Sequence, residues 1–469
     1  MQNVLNLAPE TSLLNDQEIP LVTSLYDLTP DNVLLSQEHY ESEVRSYPRR
    51  FPIAIKTTRG VIVEDTKGQI YLDCLAGAGA LPLGYNHSEI NQVLIKQLND
   101  GVPYQTLDIT TPSKDAFIKA VMNFLPDNFA KNARIQFCGP SGADAVEAAI
   151  KLAKLYTKRN TMVAFHGAYH GMTNGALSLT GNLGAKSRRT GLMSDVHFFP
   201  FPYSYRCTFG LGGVEGAKQS IRYIESVLCD DESGITKPAA IIVEPIQGEG
   251  GVIPASIEWL QELRRITTEH GILLIFDEIQ CGVGRSGDHF AFEYAGIEPD
   301  VLILSKAIGG GMPMSVILYN KEFDCWNPGE HTGTFRGNQL AMASGAKTLE
   351  IIKRDNLADN AKARGEQLRA GLTAIQQDFP QIGEVRGRGL MNGIEIVKPG
   401  KLNALGHAEA DPELAVKIQR AALELGLIIE KGGRRGSVLR FLPPLIISET
   451  QINFVIDTMA KAIAKAVKL

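Results

Sequence analysis

Apolar segments that alternate with helix-like segments between about residues 89 and 347 constrain the fold more than any other feature of this sequence. Each apolar segment is short and continuous, which is typical of a strand buried on both faces of a parallel sheet. They are ARIQFCG (133–139), TMVAF (161–165), AAIIVE (239–244), GILLIFDE (271–278) and DVLILS (300–305). Helical periodicity lies between them, for example at 142–155 and 257–270. The pattern predicts an α/β fold whose large domain has a mainly parallel central sheet.

The flanking segments predict a second, smaller α+β domain built from both ends of the chain. Before the alternating region, residues 60–73 contain two short strand patterns around a turn at Lys67-Gly68. After it come a helical region at 350–377, strands in MNGIEIV, LIIEKG and VLRFL, and helices at 411–425 and 449–467. Ser448 and Gln451 form a capping box for the last helix. We expect an arm at 1–46, small-domain parts at 47–88 and 348–469, and the large domain at 89–347.

Charge and cysteine content exclude several classes of protein. The formal net charge is −5, a balance that gives no electrostatic indication of nucleic-acid binding. No apolar run approaches the ~18 residues that cross a bilayer. The first basic residue is Arg45, so we expect no secretory or transit signal, and the six cysteines show no metal-binding spacing. We therefore expect a cytoplasmic protein without nucleic-acid or membrane partners, and the long arm favours an oligomer.

A carboxylate and an amine stand at the ends of two predicted strands. Asp277 ends one of them, and Lys306 follows the next one along the chain. Parallel strands bring their carboxyl ends to one edge of a sheet, where open α/β folds bind ligands, so both groups can meet around one molecule. Desolvation would lower the pKa of the Lys306 amine and allow it to form a Schiff base. A structural Lys-Asp pair is the alternative interpretation.

A turn of small residues precedes the helix predicted at 142–155. Ser141, Gly142 and Ala143 leave the free N–H groups of that helix open to a phosphate, which the helix dipole favours. Alone, such a turn is more often only a helix cap. No complete nucleotide-binding glycine motif is present. Together, a phosphate cradle, a strand-end Asp and a strand-end Lys are the parts that pyridoxal 5'-phosphate (PLP) requires for its phosphate, ring nitrogen and aldehyde.

Several longer motifs of the sequence are similar to those of a known protein family. They are SGADAVEAAIKLAK, FHGAYHG, EPIQGEGG, IFDEIQCGVGRSG, PDVLILSKAIGGGMP, GTFRGNQLA and LRFLPPL. From about Tyr47 onwards the chain resembles the class III aminotransferases of fold type I, and within them the enzymes that move the 4-amino group of L-2,4-diaminobutyrate to 2-oxoglutarate. The resemblance implies a reversible ping-pong reaction on PLP, which gives L-aspartate 4-semialdehyde and L-glutamate, in a homodimer with a shared active site. 4-Aminobutyrate, ornithine or lysine are the alternative donors.

The resemblance implies a role for each matching cofactor position. Lys306 would form the Schiff base and move a proton between substrate and cofactor, while Asp277 would keep the ring nitrogen protonated. The other cofactor-binding positions are Ser141, Gly142 and Ala143 at the phosphate, Tyr169 on the ring face, Gln280 at the ring hydroxyl, Glu244, and Thr334 reaching from the other subunit.

Two different substrates must share the pocket, so its charge must be switchable. By resemblance, Arg440 would bind the α-carboxylate of glutamate and would pair with Glu249 when an amine occupies the site. Met172 stands where the 4-aminobutyrate and ornithine enzymes have an Arg, and Arg336 is the candidate replacement that would bind 2-oxoglutarate. Ala78 stands where ornithine enzymes have a Tyr, which argues against ornithine.

Hypotheses from other classes use some of the same residues. A metal-dependent hydrolase would use His166, His170, Glu244 and Asp277, but no third ligand follows the two histidines at a matching spacing, and we expect no metal. A ligand-binding protein could also retain the fold without catalysis. An amine-dependent change of cofactor colour would separate that case from an enzyme.

Overall fold

The computed structural model describes residue 15 and residues 17–468, so residues 1–14 and 16 of the predicted arm lie outside the described residues. The helices are α1 Asn32–Tyr40, α2 Tyr47–Arg50, α3 Ala76–Gly79, α4 Ser88–Asn99, α5 Pro112–Phe124, α6 Asp127–Asn132, α7 Gly142–Thr157, α8 Asn174–Leu179, α9 Leu183–Lys186, α10 Gly213–Cys229, α11 Ile257–Glu269, α12 Gln339–Arg354, α13 Leu357–Asp378, α14 Pro412–Glu424 and α15 Glu449–Lys468. In this part of the chain, no helix combines the length and apolarity needed to span a membrane.

The strands are β1 Ile55–Arg59, β2 Ile62–Asp65, β3 Ile70–Asp73, β4 Ala133–Phe137, β5 Met162–Phe165, β6 Val196–Phe199, β7 Ala240–Val243, β8 Ile246–Gln247, β9 Ile253–Pro254, β10 Leu273–Asp277, β11 Val301–Leu304, β12 Val316–Asn320, β13 Ile382–Arg388, β14 Met391–Leu402, β15 Ala408–Ala410, β16 Leu427–Ile428, β17 Glu430–Gly432 and β18 Val438–Phe441.

The central sheet has the strand order β4-β12-β11-β10-β7-β5-β6, and the prediction of a mainly parallel α/β sheet is confirmed. Only β12 runs antiparallel to its neighbours β11 and β4. We did not predict β6 or β12. A glycine-rich turn, rather than a crossover helix, connects β11 to β12, so the chain reverses direction and β12 falls outside the strand-helix alternation.

Side chains of the central strands enter two hydrophobic cores, one on each face of the sheet. In β10, Leu274 and Phe276 lie in the larger core, whereas Leu273 and Ile275 lie in the core beneath α7. Successive side chains of a strand point to opposite faces, so both faces of β10 are covered. This double burial is why the strand sequences are continuously apolar.

The smaller region joins the two ends of the chain, as predicted. Its first sheet has the order β1-β2-β3-β16, in which β16 from the C-terminal part pairs with β3. The predicted strand LIIEKG is in fact two short strands, because β16 pairs with β3 whereas β17 pairs with β18 in a second sheet. The capping box of α15 is present, with reciprocal hydrogen bonds between Ser448 and Gln451.

The helical region predicted at 350–377 is also divided. Helix α12 ends at Arg354 and α13 begins at Leu357, with Asn356 between them at φ 51°. A left-handed residue cannot continue an α-helix, so the chain changes direction here. Helix α12 crosses position 347, where we placed a domain boundary, and the domain limits remain predictions.

Candidate active site

A cleft of about 460 Å³ lies at the carboxyl edge of the central sheet. Strands β4, β5, β7, β10 and β11 all point their carboxyl ends toward this edge, because they are mutually parallel. Of the predicted site residues, those that line the cleft are Ser141, Gly142, Ala143, Tyr169, Glu244, Glu249, Asp277, Gln280 and Lys306. Residues that lie far apart in the sequence therefore meet around one space, as expected for strand ends of an open α/β sheet.

Lys306 directly follows β11 and begins a short 3-10 helix, with a backbone φ of 47°. Desolvation lowers the pKa of its amine, and this effect outweighs the opposing influence of the Glu249 and Asp277 carboxylates. A lowered pKa favours the neutral amine, which is the nucleophilic form. The chemistry predicted for Lys306 is therefore compatible with its surroundings.

Asp277 is almost completely buried and is held by two partners. Its Oδ2 lies 2.7 Å from Nδ1 of His170, and its Oδ1 accepts a hydrogen bond from the backbone N–H of Ile279. The sequence suggests His170 only as a possible metal ligand, whereas the structure pairs it with Asp277. The relevant signal was its position after β5, since the loop that follows a parallel strand reaches the same edge as Asp277. His170 orients the carboxylate.

Glu244 lies beneath the loop that carries Tyr169. Its two carboxylate oxygens accept hydrogen bonds from the backbone N–H groups of Tyr169 and Gly248 at 3.0 and 2.9 Å. Burial raises the pKa of Glu244 to about 7, with a smaller opposing effect of His170 and a further raising effect of Asp277. Glu244 therefore fixes the backbone that presents the Tyr169 ring to the cleft.

Within the described part of the chain, only one of the two polar atoms of the Gln280 side-chain amide forms a hydrogen bond. Its Nε2 donates to the carbonyl of Ala78 at 3.2 Å, whereas its buried Oε1 has no hydrogen-bond partner among the described residues. A Cβ atom at Gly248 would lie only 1.9 Å from that oxygen, so the close approach requires glycine. An unpaired buried oxygen is unfavourable, and a ligand hydroxyl in the cleft would satisfy it.

The N-terminus of α7, where we predict a phosphate cradle, lies at the cleft. Oγ of Ser141 accepts a hydrogen bond from the N–H of Ala143 and caps the helix. A Cβ atom at Gly142 would lie 2.7 Å from Cδ1 of Ile279, and one at Gly171 would lie 2.6 Å from Cβ of Ala143. The backbone of the cradle is therefore packed closely against the neighbouring loops.

Glu249 and Arg440 form an ion pair at the side of the cleft, with Oε1 and Nη2 2.8 Å apart. Arg440 is buried, whereas the Glu249 side chain is 40% exposed. Burial alone would raise the pKa of Glu249, but Arg440 lowers it overall. Oε1 of Glu430 lies 3.7 Å from the same nitrogen of Arg440. Nε and Nη1 of Arg440 are buried without hydrogen-bond partners among the described residues, so the guanidinium has N–H groups left to donate to a ligand.

Thr334 and Arg336 do not line the cleft of their own chain. Both lie in the 3-10 helix Thr334–Gly337, where Arg336 pairs with Asp108 and donates to the carbonyl of His331 at 3.2 Å. Thr334 was expected to serve the other subunit. The roles of both residues remain predictions.

The residues of the alternative hydrolase do not form a cluster of ligands. In the described part of the chain, the group of three potential metal ligands whose ligand atoms lie within 4.8 Å of one another is Cys138, Asp144 and His331. His170 and Asp277 instead bind each other.

Comparison with known proteins identifies the family. The family model described as "Aminotransferase class-III" matches residues 44–463, which is nearly the whole chain. The chain belongs to the class III aminotransferases. This aminotransferase is 55% identical to the diaminobutyrate--2-oxoglutarate aminotransferase of Rhizobium meliloti, with 91% of each chain covered. It is 50% identical to the protein of the same name from Haemophilus influenzae, with 93% of this chain and 97% of the relative covered.

Solved structures agree with this family. An amine transaminase from an uncultivated Pseudomonas species, in its PLP-bound form, matches with a TM-score of 0.82 at 27% identity and covers 91% of this chain and 98% of its own. An (S)-enantioselective omega-transaminase from Thermomicrobium roseum matches with a TM-score of 0.82 at 26% identity, covering 93% and 98%. The fold of these transaminases therefore extends over more than nine tenths of this chain.

Proposed function

We propose that this class III aminotransferase moves the 4-amino group of L-2,4-diaminobutyrate to 2-oxoglutarate, giving L-aspartate 4-semialdehyde and L-glutamate, with PLP as its cofactor. The observation that carries the proposal is the identity of 55% and 50%, over more than nine tenths of the chain, to two proteins with this activity in their names. No comparable observation favours 4-aminobutyrate, ornithine or lysine as the donor.

The cleft residues fit PLP. The N–H groups at the start of α7 suit its phosphate, and the unpaired Oε1 of Gln280 suits its ring hydroxyl. The buried Asp277 carboxylate would hold a proton on its ring nitrogen, and Tyr169 would cover one ring face. When bound, PLP supplies a conjugated ring that takes up the electron pair released when a C–H bond next to the reacting nitrogen breaks.

The protein's own groups would then bind, orient and move protons. Nζ of Lys306 would take the proton from C4 of diaminobutyrate and, in the second half-reaction, would deliver a proton to C2 of the 2-oxoglutarate skeleton. His170 would keep the Asp277 carboxylate in place through their 2.7 Å contact. Glu244 would hold the Tyr169 loop against the cleft.

The Glu249–Arg440 pair would allow two substrates of different charge to use one pocket. While the diamine is bound, Glu249 neutralises the buried Arg440 at 2.8 Å. When 2-oxoglutarate enters, its carboxylate would replace Glu249, because a bidentate carboxylate satisfies a guanidinium at least as well. Glu430 lies farther from Arg440, at 3.7 Å, so a closely bound acid in the place of Glu249 keeps the buried arginine well paired.

We also propose that the enzyme is a cytoplasmic homodimer in which Thr334 reaches the partner's active site. Exposed apolar side chains surround this segment, namely Phe335 together with Tyr104, Leu107 and Ile109. A partner subunit would cover them, since exposed apolar patches commonly mark interfaces. The six cysteines are unpaired, which agrees with a reducing compartment.

Diaminobutyrate labelled with ¹⁵N at the 4-amino group tests the reaction directly. We expect the label in L-glutamate, with L-aspartate 4-semialdehyde formed in equal amount. Ornithine, 4-aminobutyrate and lysine, assayed at equal concentration, should be poorer donors by kcat/KM. Unlabelled glutamate, or a better rate with another amine, would contradict the proposal.

Mixing two defective variants tests the shared site. Lys306→Ala removes the reactive amine and Thr334→Ala removes the proposed phosphate contact. In a mixed dimer, one site combines an intact Lys306 with an intact Thr334 from the other chain, so coexpression should restore activity and PLP affinity in about half of the mixed-dimer sites. If Thr334 served its own chain, mixing would restore nothing.

A further inference from the structure

A second cleft, of about 920 Å³, adjoins the candidate active site, and we call it the outer cleft. It lies between the loop after β5, helix α9 and the turn at 431–436 of the smaller region. Tyr169 and Glu249 line both clefts. A molecule in the outer cleft is therefore next to the Glu249–Arg440 pair.

The lining of the outer cleft is strongly basic. Its cationic residues are Arg50, Lys186, Lys431, Arg434 and Arg435. Among the described residues, its acidic lining is limited to Glu249, which is already paired with Arg440. The chain as a whole has a formal net charge of −5, so this positive surface contrasts with the rest of the molecule. A cleft lined by one sign of charge attracts ions of the opposite sign.

Most of these cations are not neutralised by a carboxylate. Within the described residues, Lys186, Lys431, Arg434 and Arg435 have no carboxylate oxygen within 4 Å, and only Arg50 pairs with an acid, Glu430. Lys186, Lys431 and Arg434 donate to backbone carbonyls at 2.8, 3.2 and 2.9 Å.

The same three side chains are also partly removed from water. Desolvation lowers the pKa of Lys186, Lys431 and Arg434, and the nearby Arg50 adds to this effect on Lys431. For Arg434, desolvation outweighs the opposing influence of Tyr203 and Glu395 on its pKa. Nε of Arg434 is buried and has no hydrogen-bond partner among the described residues. An anion in the cleft would supply the missing charge.

We propose that the outer cleft binds the dicarboxylate substrate and product, 2-oxoglutarate and glutamate, and leads them to Arg440. This inference rests on the proposed function. 2-Oxoglutarate carries two negative charges, whereas diaminobutyrate carries one carboxylate and two ammonium groups and is a net cation at neutral pH. The same field therefore attracts one substrate and repels the other.

The arrangement gives the two carboxylates of 2-oxoglutarate different partners. One replaces Glu249 at Arg440, and the other remains among the cations of the outer cleft. These cations belong to the same chain as Arg440. The outer cleft is thus an alternative to Arg336, whose guanidinium is already paired with Asp108.

A triple variant removes the charge while leaving the catalytic groups intact: Lys186→Gln, Lys431→Gln and Arg435→Asn. Glutamine retains a donor for the backbone carbonyls that the two lysines contact. Asparagine suits position 435, because Arg435 has φ 62° and asparagine tolerates the left-handed region. The matched control, Arg222→Gln, Lys417→Gln and Lys461→Gln, changes the net charge equally at exposed positions outside both clefts.

Glutarate, an unreactive dicarboxylate, serves as the probe in calorimetric titrations of the PLP-loaded enzyme. At low ionic strength we expect its Kd to rise about tenfold in the triple variant, with a similar fall of kcat/KM for 2-oxoglutarate. The kcat/KM for diaminobutyrate should stay constant or rise. Added salt should shrink the difference between the variant and the wild type, because it screens charges separated by more than a Debye length. The control should resemble the wild type throughout.

An unchanged Kd for glutarate, or equal losses for 2-oxoglutarate and the amine donor, would overturn the proposal. If the triple variant folds poorly by circular dichroism, Arg435→Asn alone, at an exposed position, should weaken glutarate about twofold. The glutarate titration needs no amine donor. It therefore decides the role of the outer cleft even if the donor proves to be a different amine.

Discussion

The bottom and the side of the candidate active-site cleft differ in how their charged side chains are paired. At the bottom, the Asp277 carboxylate is buried and faces His170, so its partner is fixed by the fold. At the side, Arg440 is buried but its partner Glu249 is 40% exposed and can be replaced by a ligand. In the proposed function, the buried contact would serve the cofactor permanently, whereas the exposed ion pair would exchange with the substrates.

Among the substitutions in the cleft, loss of Lys306 should reduce the catalytic rate most. It tests whether the buried groups of the cleft are indispensable for catalysis. We expect Lys306→Ala to retain PLP noncovalently but to lose at least ~10³-fold in kcat, because the nucleophilic amine and the proton carrier both disappear. Rapid kinetics and the absorption spectrum would measure this. Lys321→Ala is the matched control, since Lys321 follows the antiparallel strand β12 and lies at the opposite edge of the sheet. Normal turnover by Lys306→Ala would remove the assignment.

The contact between Asp277 and His170 predicts losses of kcat that differ in size between the two residues. Asp277→Asn should reduce kcat about 10²- to 10³-fold, since a neutral amide does not hold a proton on the ring nitrogen. His170→Asn should cost only about tenfold, because His170 acts by orienting Asp277. Single-turnover rates with diaminobutyrate would measure both. Equal losses in the two variants would mean that His170 does more than orient the carboxylate.

The Glu249–Arg440 ion pair predicts changes of KM that differ between the two substrates. Arg440→Met should raise KM for 2-oxoglutarate and glutamate about 10²-fold and change KM for diaminobutyrate little. Glu249→Gln should do the reverse, with about a tenfold weaker diamine, because the buried arginine then repels its ammonium groups. Steady-state kinetics with each substrate varied would test this. Parallel losses for both substrates would show that the pair is structural.

Glu244 predicts a smaller, pH-dependent effect on stability. Its pKa in the folded protein is about 7, above the ordinary 4.5. Between pH 4.5 and pH 7, the carboxyl group therefore keeps its proton in the folded state but has lost it in the unfolded chain. The contribution of Glu244 to stability therefore falls as pH rises from about 4.5 to 7. Relative to the wild type, the Tm of Glu244→Gln should rise by a few degrees between pH 5 and 8. Glu258→Gln, at an exposed position on α11, should show no such trend.

The sequence predicted those elements of the fold that depend on patterns of neighbouring residues, such as continuously apolar strands. Asp277 and Lys306 could be brought to one edge because continuously apolar strands indicate a parallel sheet, and the structure places both in the cleft. The division of LIIEKG between two sheets could not be predicted, since it depends on pairing with β3 and β18, which lie far away in the sequence. The break at Asn356 was missed because helical periodicity continues on both sides of it.

Interactions between distant side chains were the least predictable part of the site. The pairing of Arg336 with Asp108 joins two exposed segments without any repeated pattern. His170 was recognised as a notable residue but was given a different role, because its carboxylate partner lies on another strand. The cations of the outer cleft come from separate segments and gather only in the folded chain.

The Glu249–Arg440 pair also joins two regions of the chain. Glu249 lies in the predicted large domain, whereas Arg440 and its second acidic neighbour, Glu430, belong to the C-terminal region. Arg440 and Glu430 are directly opposite each other on the paired strands β18 and β17. A dicarboxylate that takes the place of Glu249 would therefore remove one direct ionic link between the loop after β8 and the C-terminal sheet.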